Sequence, residues 1–246
     1  MSDHSELFVA SIASALNSSQ IPCVLWSHCL LNVHGIPSMV AKSVDFVLPD
    51  NLLVADVKAL EGLPIIRPCP DPEERHTPPP PYHLHINESQ VTVGLYLHSE
   101  TLWFLPVFDS SLLHPETSKL PPHFILASDQ TSLPLWRPGR RSGVFKSAGG
   151  PVVVPKAHVL LEAFLRLYAR DSGKRIGACG MAMIAYVEQY VDDDGLLDVS
   201  QLPEPLKTSY GELRQGDKPV RQWTRELKQA LQLPKGEDGS DEEDNC

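Results

Sequence analysis

The segment Ile21–Asp50, IPCVLWSHCLLNVHGIPSMVAKSVDFVLPD, constrains the fold more than any other part of the chain, because two short apolar runs flank a polar turn and a helix-length stretch. Cys23–Trp26 reads as a buried strand, Ser27 and His28 as a turn, and roughly Cys29–His34 as a helix stopped by Gly35-Ile36-Pro37. Val44–Leu48 reads as a second strand carrying one acid, Asp45. Pro49 and Asp50 follow, with Asp50 placed to cap a helix over Leu52–Leu60. An amphipathic helix over Glu6–Asn17 precedes the segment. This alternation of strand and helix predicts an α/β sheet.

Further along, Pro64–Pro81 is too rich in proline for regular helix or a central strand, and the four prolines Pro78–Pro81 favour an extended surface segment. Tyr82–Ile86, Gln90–His98 and Thr101–Leu105 predict an antiparallel meander, with turns at Asn87-Glu88 and Ser99-Glu100. Short strands are expected at Phe124–Ala127 and Val152–Val154, and Pro155 suits a first helical turn. Four helices then follow, over Lys156–Arg170, Ile176–Val191, Pro203–Arg214 and Lys218–Leu231. The expected organisation is an α/β core over 1–155, a packed helical C-terminal portion over 156–232, and a disordered acidic tail over 233–246.

With 246 residues, 42% of them hydrophobic, the chain can build a sizeable core. It has no apolar run of about 18 residues that would predict a membrane helix, and its start lacks a signal-peptide pattern, so a cytoplasmic or nuclear protein is expected. Five cysteines without a CxxC pair predict neither a disulfide framework nor a zinc ribbon. The net charge of −10 disfavours unspecific nucleic-acid binding, which needs concentrated Lys and Arg. Six of the 31 acids lie in Lys235–Cys246, a solvated end. A protein partner could dock at that tail or at the proline-rich loop, against a solubilising terminus and an ordinary stiff loop as the alternatives.

Three constellations carry candidate chemistry. Ser43 and Asp45 stand two apart on a strand and so share a face. His83 and His85 do the same on Tyr82–Ile86; if that strand pairs beside Asp45, the three make a His-His-carboxylate metal set, against a plain polar strand face as the alternative. Arg137, Arg140 and Arg141 on a Gly-containing loop, followed by Lys146, form the densest cationic cluster and suit a phosphate or carboxylate, unless they pair with nearby acids. Asp171-Ser172-Gly173-Lys174 lacks the leading glycine and strand of a phosphate-binding loop, and Asp192-Asp193-Asp194-Gly195 lacks the ligand spacing of a calcium loop, so both read as helix breaks.

The chain also resembles a group of filamentous-fungal proteins with a nucleotidyltransferase-like fold, through VLWSHCLLNVHGIP, LWFLP, ILASD, RPGRRSG, MAMIAYVEQYVDDDGLLD and KPVRQWTREL. The resemblance implies a nucleotidyltransferase-like mixed sheet with flanking helices and a helical C-terminal portion. In that superfamily a Gly-Gly or Gly-Ser turn follows the first strand, and an Asp-hydrophobic-Asp pair on the second holds divalent metals against a nucleotide triphosphate. Here the turn reads Ser27-His28 and the pair reads Ser43-Val44-Asp45, so one carboxylate of two is missing.

The resemblance therefore implies a catalytically degenerate protein that binds a nucleotide or other anionic small molecule at Ser27, His28 and Ser43, with Asp45 the remaining catalytic and metal position for Mg²⁺ or Mn²⁺. An active metal-dependent transferase with a rebuilt site and an antitoxin-like interaction regulator without a small ligand are the alternatives.

Overall fold

The computed structural model describes residues 4–37, 43–52, 58, 60–61, 66–69, 80–87, 89, 91–116, 119–140, 143–146 and 149–233. The fold is mixed α/β. Helix α1 (His4–Ser18) leads into β1 (Val24–Trp26), α2 (Ser27–Val33) and β2 (Ser43–Leu48). Then come β3 (Ile66–Pro68), β4 (Tyr82–Ile86), β5 (Thr92–Leu97) and the single turn α3 (His98–Thr101). Strands β6 (Phe124–Leu126) and β7 (Val153–Pro155) precede α4 (Ala157–Asp171), α5 (Arg175–Val187), α6 (Leu206–Gln215) and α7 (Val220–Ala230). No helix among the described residues is long and apolar enough to cross a membrane.

The five strands are ordered β1-β2-β5-β4-β3, with only β2 and β5 parallel; β6 and β7 form a separate antiparallel pair. Strand alternation gives the sheet two unlike faces. Register places Leu25, Val44, Phe46, Leu48, Leu84, Val93 and Leu95 on one face, which is buried in the core. The other face carries Ser43, Asp45, Thr92, Gly94, Tyr96, His83, His85 and Arg67. The charged and imidazole side chains of the sheet are thus gathered on one surface, which Val24, Trp26 and Val47 share.

One hydrophobic cluster joins the sheet to the helices beyond it. Trp26 of β1 meets Phe164 of α4 at 5.7 Å between ring centroids. Tyr168 stacks on Trp223 of α7 at 5.6 Å, and the Trp223 indole N–H donates to the Ser209 carbonyl at 2.7 Å. At the other end of α2, the buried His34 Nε2 donates to the Pro155 carbonyl at 3.0 Å, tying β7 to the first helix–strand unit. Burial holds that imidazole down to about 4, so it is neutral at physiological pH.

Most expected elements lie where the sequence puts them, with three differences. Thr101–Leu105 is not a strand. The chain enters α3 and a turn closed by Leu102 N–H to His98 O and Leu105 N–H to Leu102 O, both 2.9 Å. Leu102 and Leu105 are the buried apolar positions, a spacing of three that suits a turn and not the alternation of a strand. His98 accordingly sits in a helical turn and Ser99-Glu100 is not a hairpin. Pro155 ends β7 opposite Phe124 instead of opening α4, a strand-end place that needs no N–H. Asp50 begins a 3₁₀ turn, and its Oδ1 accepts from the Ser99 N–H at 3.1 Å, so it clamps β2 to α3. Most of the helix expected over Leu52–Leu60, the prolines Pro78 and Pro79, and the acidic tail from 234 onward lie outside the described residues.

Because Trp223 is buried, hydrogen-bonded and stacked, Trp223→Ala should cost about 3–5 kcal/mol. A denaturant melt followed by circular dichroism should show one transition at lower midpoint. A separate early transition, leaving the sheet signal at its original midpoint, would mean α6 and α7 do not share the core.

Candidate functional site

Asp45 lies in the second of five strands, 2% exposed, and is the single acidic residue in the sheet. Ser43 Oγ and Ser27 Oγ donate to its carboxylate, and so does the Gly94 backbone N–H. Gly94 faces Asp45 directly across the parallel pairing of β2 and β5. A Cβ there would stand 2.4 Å from Asp45 Oδ1, so glycine is what lets the carboxylate lie over β5. Burial outweighs the three donors and pushes the Asp45 acid up to about 6. The same burial, with Asp45 adding, lifts the Cys29 thiol to about 12 and raises the Tyr96 phenol, on which Cys179 also acts.

Ser27 joins β1 to α2 at φ +57°, in the left-handed region that costs an L-residue about 1–2 kcal/mol. A glycine would fit that backbone more easily, but it would remove the hydroxyl that donates to Asp45. His28 follows on the first turn of α2, and burial lowers its imidazole pKa. Both residues border a pocket of about 120 Å³. Trp26, Tyr96, Phe164, Leu167, Ile176 and Met183 make its apolar wall, while Glu100 and Arg170 supply charge. Arg170 is held in place by Nε to Asp171 at 2.8 Å, by Nη1 to the Glu100 carbonyl at 2.8 Å, and by stacking over Trp103 at 4.7 Å.

Asp45 itself is not on the pocket wall; Ser27, which bonds it, and Tyr96 stand there instead. Mg²⁺ and Mn²⁺ need anionic oxygens with room for several waters in near-octahedral array. A lone carboxylate with its oxygens taken by Ser43, Ser27 and Gly94 does not meet that need. The residues present do not fit a divalent metal of the two-aspartate type.

The histidine pair is not beside Asp45. Strand β5 lies between β4 and β2, so His83 stands two strands away, about 10 Å, with Gly94 between them in the same cross-sheet row. His83 and His85 instead come together with Cys69, just beyond β3. No sequence signal paired Cys69 with them, because the intervening proline-rich stretch hid the strand β3.

The cationic loop is also elsewhere. Arg137 and Arg140 both pair with Asp194, the latter at 2.8 Å, and Arg140 stacks over Tyr190 at 4.5 Å. Lys146 is exposed and its backbone N–H donates to Glu6 at 3.0 Å; Arg141 lies outside the described residues. Gly143 N–H donates to the Asn32 carbonyl, which anchors the loop toward the far end of α2, about 7.5 Å of helix away from Ser27. Arg170, Tyr96, Gly94 and Met183 are the site residues that sequence reasoning missed. A glycine inside a strand pattern was the one available signal, for Gly94.

The fold and site define a mixed-sheet α/β protein with one buried strand acid beneath a small, largely apolar pocket. No known protein-family model matches the sequence, and no curated protein does. Among solved structures the chain is similar to an antigenic nucleotidyltransferase-like protein from Paracoccidioides brasiliensis, at 15% identity and TM-score 0.44, covering 91% of this chain and 93% of that one. It is also similar to ANT(2'')-Ia in complex with adenylyl-2''-tobramycin, at 10% identity and TM-score 0.43, covering 84% and 97% of the two chains.

Two outcomes test the Asp45 arrangement. Gly94→Ala should destabilise the protein by about 1–3 kcal/mol, and much less in an Asp45→Ala background where the clashing oxygen is gone. Additive effects in that double-mutant cycle would show that the two residues do not press on each other. The second outcome concerns pH. An acid raised from 3.8 to about 6 binds its proton more tightly folded than unfolded, so its contribution is fully present below about pH 4 and is lost as pH rises through 6. The stability of Asp45→Asn relative to wild type should therefore increase over that interval, by about 3 kcal/mol at most, and be level outside it. A flat difference from pH 4 to 7 in thermal melts would remove the perturbed acid.

Proposed function

We propose that this chain is a nucleotidyltransferase-like protein without metal-dependent nucleotidyl transfer, which binds a small ring-bearing anion such as a nucleotide in the pocket over Ser27. The observation that carries this reading is the division of labour around the turn. The carboxylate that would ligate metal is closed inside the sheet by three donors, whereas the space beside it stays open and is lined by apolar side chains and Arg170. A cavity near 150 Å³ accepts a benzene-sized ring, so about 120 Å³ suits one ring or one phosphate-sized group at the inner end.

The electrostatics favour Arg170 as the anion contact. At net charge −10 the average field repels an anion, and a local cation has to reverse it. Arg137 and Arg140 pair with Asp194 away from the pocket, whereas Arg170, though itself paired with Asp171, stands on the pocket wall and has five N–H donors, two of them engaged by Asp171 and the Glu100 carbonyl. A cytoplasmic or nuclear location accords with this reading.

A screen of nucleoside mono-, di- and triphosphates by thermal shift tests it, because a ligand of the folded state must raise the melting temperature. At least one nucleotide should stabilise the protein equally with and without Mg²⁺. Filling the pocket by Met183→Trp should abolish the shift, and Arg170→Gln should weaken affinity about tenfold or more. No turnover should accompany binding. Sustained Mg²⁺-dependent transfer that Asp45→Ala abolishes would replace this reading with an active enzyme.

A further inference from the structure

We propose that Cys69, His83 and His85 form a binding site for a zinc-class divalent cation, separate from the pocket over Ser27 and independent of its function. The pairing of β3 with β4 creates it. Ile66, Arg67 and Pro68 face Ile86, His85 and Leu84 in antiparallel register, and continuing that register by one residue sets Cys69 opposite His83. Strand alternation puts His83 and His85 on one face of β4, and the same pleat brings Cys69 to that face. One thiol and two imidazoles therefore converge by backbone geometry.

Their distances suit a small tetrahedral ion. The three potential ligand atoms lie within 4.8 Å of one another, and Cys69 Sγ is 3.2 Å from His85 Nε2. With Zn–S near 2.3 Å and Zn–N near 2.0–2.1 Å, a tetrahedral ion separates sulfur from nitrogen by about 3.5 Å. The His83 and His85 rings are 5.7 Å apart and inclined at 59°, splayed as two ligands of one ion must be, not stacked. All three residues are half-buried, which leaves solvent access for an ion and for a fourth ligand.

The donor set selects the metal. Thiolate and imidazole favour Zn²⁺ and related borderline ions, and disfavour Mg²⁺ and Ca²⁺, which seek oxygen. Three protein ligands plus an open position describe a site that keeps a water or an exchangeable group. Its place is the outer edge of the sheet. Bound metal would join the short edge strand β3 to β4 by side-chain bonds as well as by the backbone ladder.

The test uses the full chain, reduced and freed of metal with a chelator. Equilibrium dialysis against Zn²⁺ should give one equivalent per chain, and Co²⁺ should give a thiolate-to-metal charge-transfer band with intense tetrahedral d–d absorption. Cys69→Ser and His83→Gln should each weaken Zn²⁺ binding about tenfold or more, with His114→Ala, on the exposed surface, unchanged. Circular dichroism without metal checks that the variants fold. Zinc binding below one equivalent, binding unaltered in folded Cys69→Ser, or a wild-type Co²⁺ complex without the thiolate band would each overturn the proposal. Should Cys69→Ser fail to fold, His83→Gln and the wild-type Co²⁺ spectrum decide the matter.

Discussion

A carboxylate buried in the middle of a sheet has to be given hydrogen-bond donors, and the donors given to Asp45 organise everything around it. Taking an ion from water costs several kcal/mol even after relaxation. The Ser43 hydroxyl, the Ser27 hydroxyl and the Gly94 N–H offset part of that cost, and the acid raised to about 6 records the part that remains. Each donor has a structural consequence. Ser27 must hold a left-handed turn to reach the carboxylate, and this turn aims α2. Gly94 must lack a side chain, which opens the row between β2 and β4. Tyr96, two residues on, then has the pocket on one side and the field of Asp45 on the other.

How far the sequence revealed this depends on whether local pattern or distant pairing decides each feature. The unit β1–α2–β2 was legible because its two buried strands and the polar turn between them are contiguous. The four C-terminal helices were legible for the same reason, each being set by its own contiguous stretch, as α4 is by the buried Val159, Leu160, Ala163 and Phe164. Leu102-Trp103-Phe104-Leu105 misled, since aromatic and aliphatic residues in a run have strand propensity, yet the burial of Leu102 and Leu105 against the core winds them into a turn. What no local pattern states is strand order. The expectation that His83 and His85 flank Asp45 required β4 beside β2, and the parallel pairing of β2 with β5 puts a whole strand between them.

The cationic loop shows a second limit, that charge counts do not say where charge is spent. Asp192, Asp193 and Asp194 form an acidic run that ends the π-helical turn after α5. Arg214 reaches Asp192 at 2.6 Å and Asp193 at 2.8 Å, while Arg137 and Arg140 take Asp194. Single exposed ion pairs contribute little. This network instead fastens the 137–140 loop and α6 to one acidic turn, with Tyr210 donating to Asp192 at 2.9 Å from inside. The loop that looked like an anion site from sequence is thereby a staple between the core and the helical portion.

The polar face of the sheet thus divides by the chemistry of its donors. Around Asp45 the groups are hydroxyls, an amide and one carboxylate, and they satisfy each other so closely that a hard cation finds no place among them. Two strands outward the groups are a thiol and two imidazoles, softer donors at half-buried positions where solvent can still enter. Gly94 is the boundary between the two zones, because it sits between Asp45 and His83 in a single cross-sheet row and puts no side chain into the gap. A side chain there would press on the carboxylate first. The same glycine that allows an acid to be buried in this sheet therefore also keeps that acid apart from the thiol and imidazole edge, so a strand order that looks incidental decides which residues can meet.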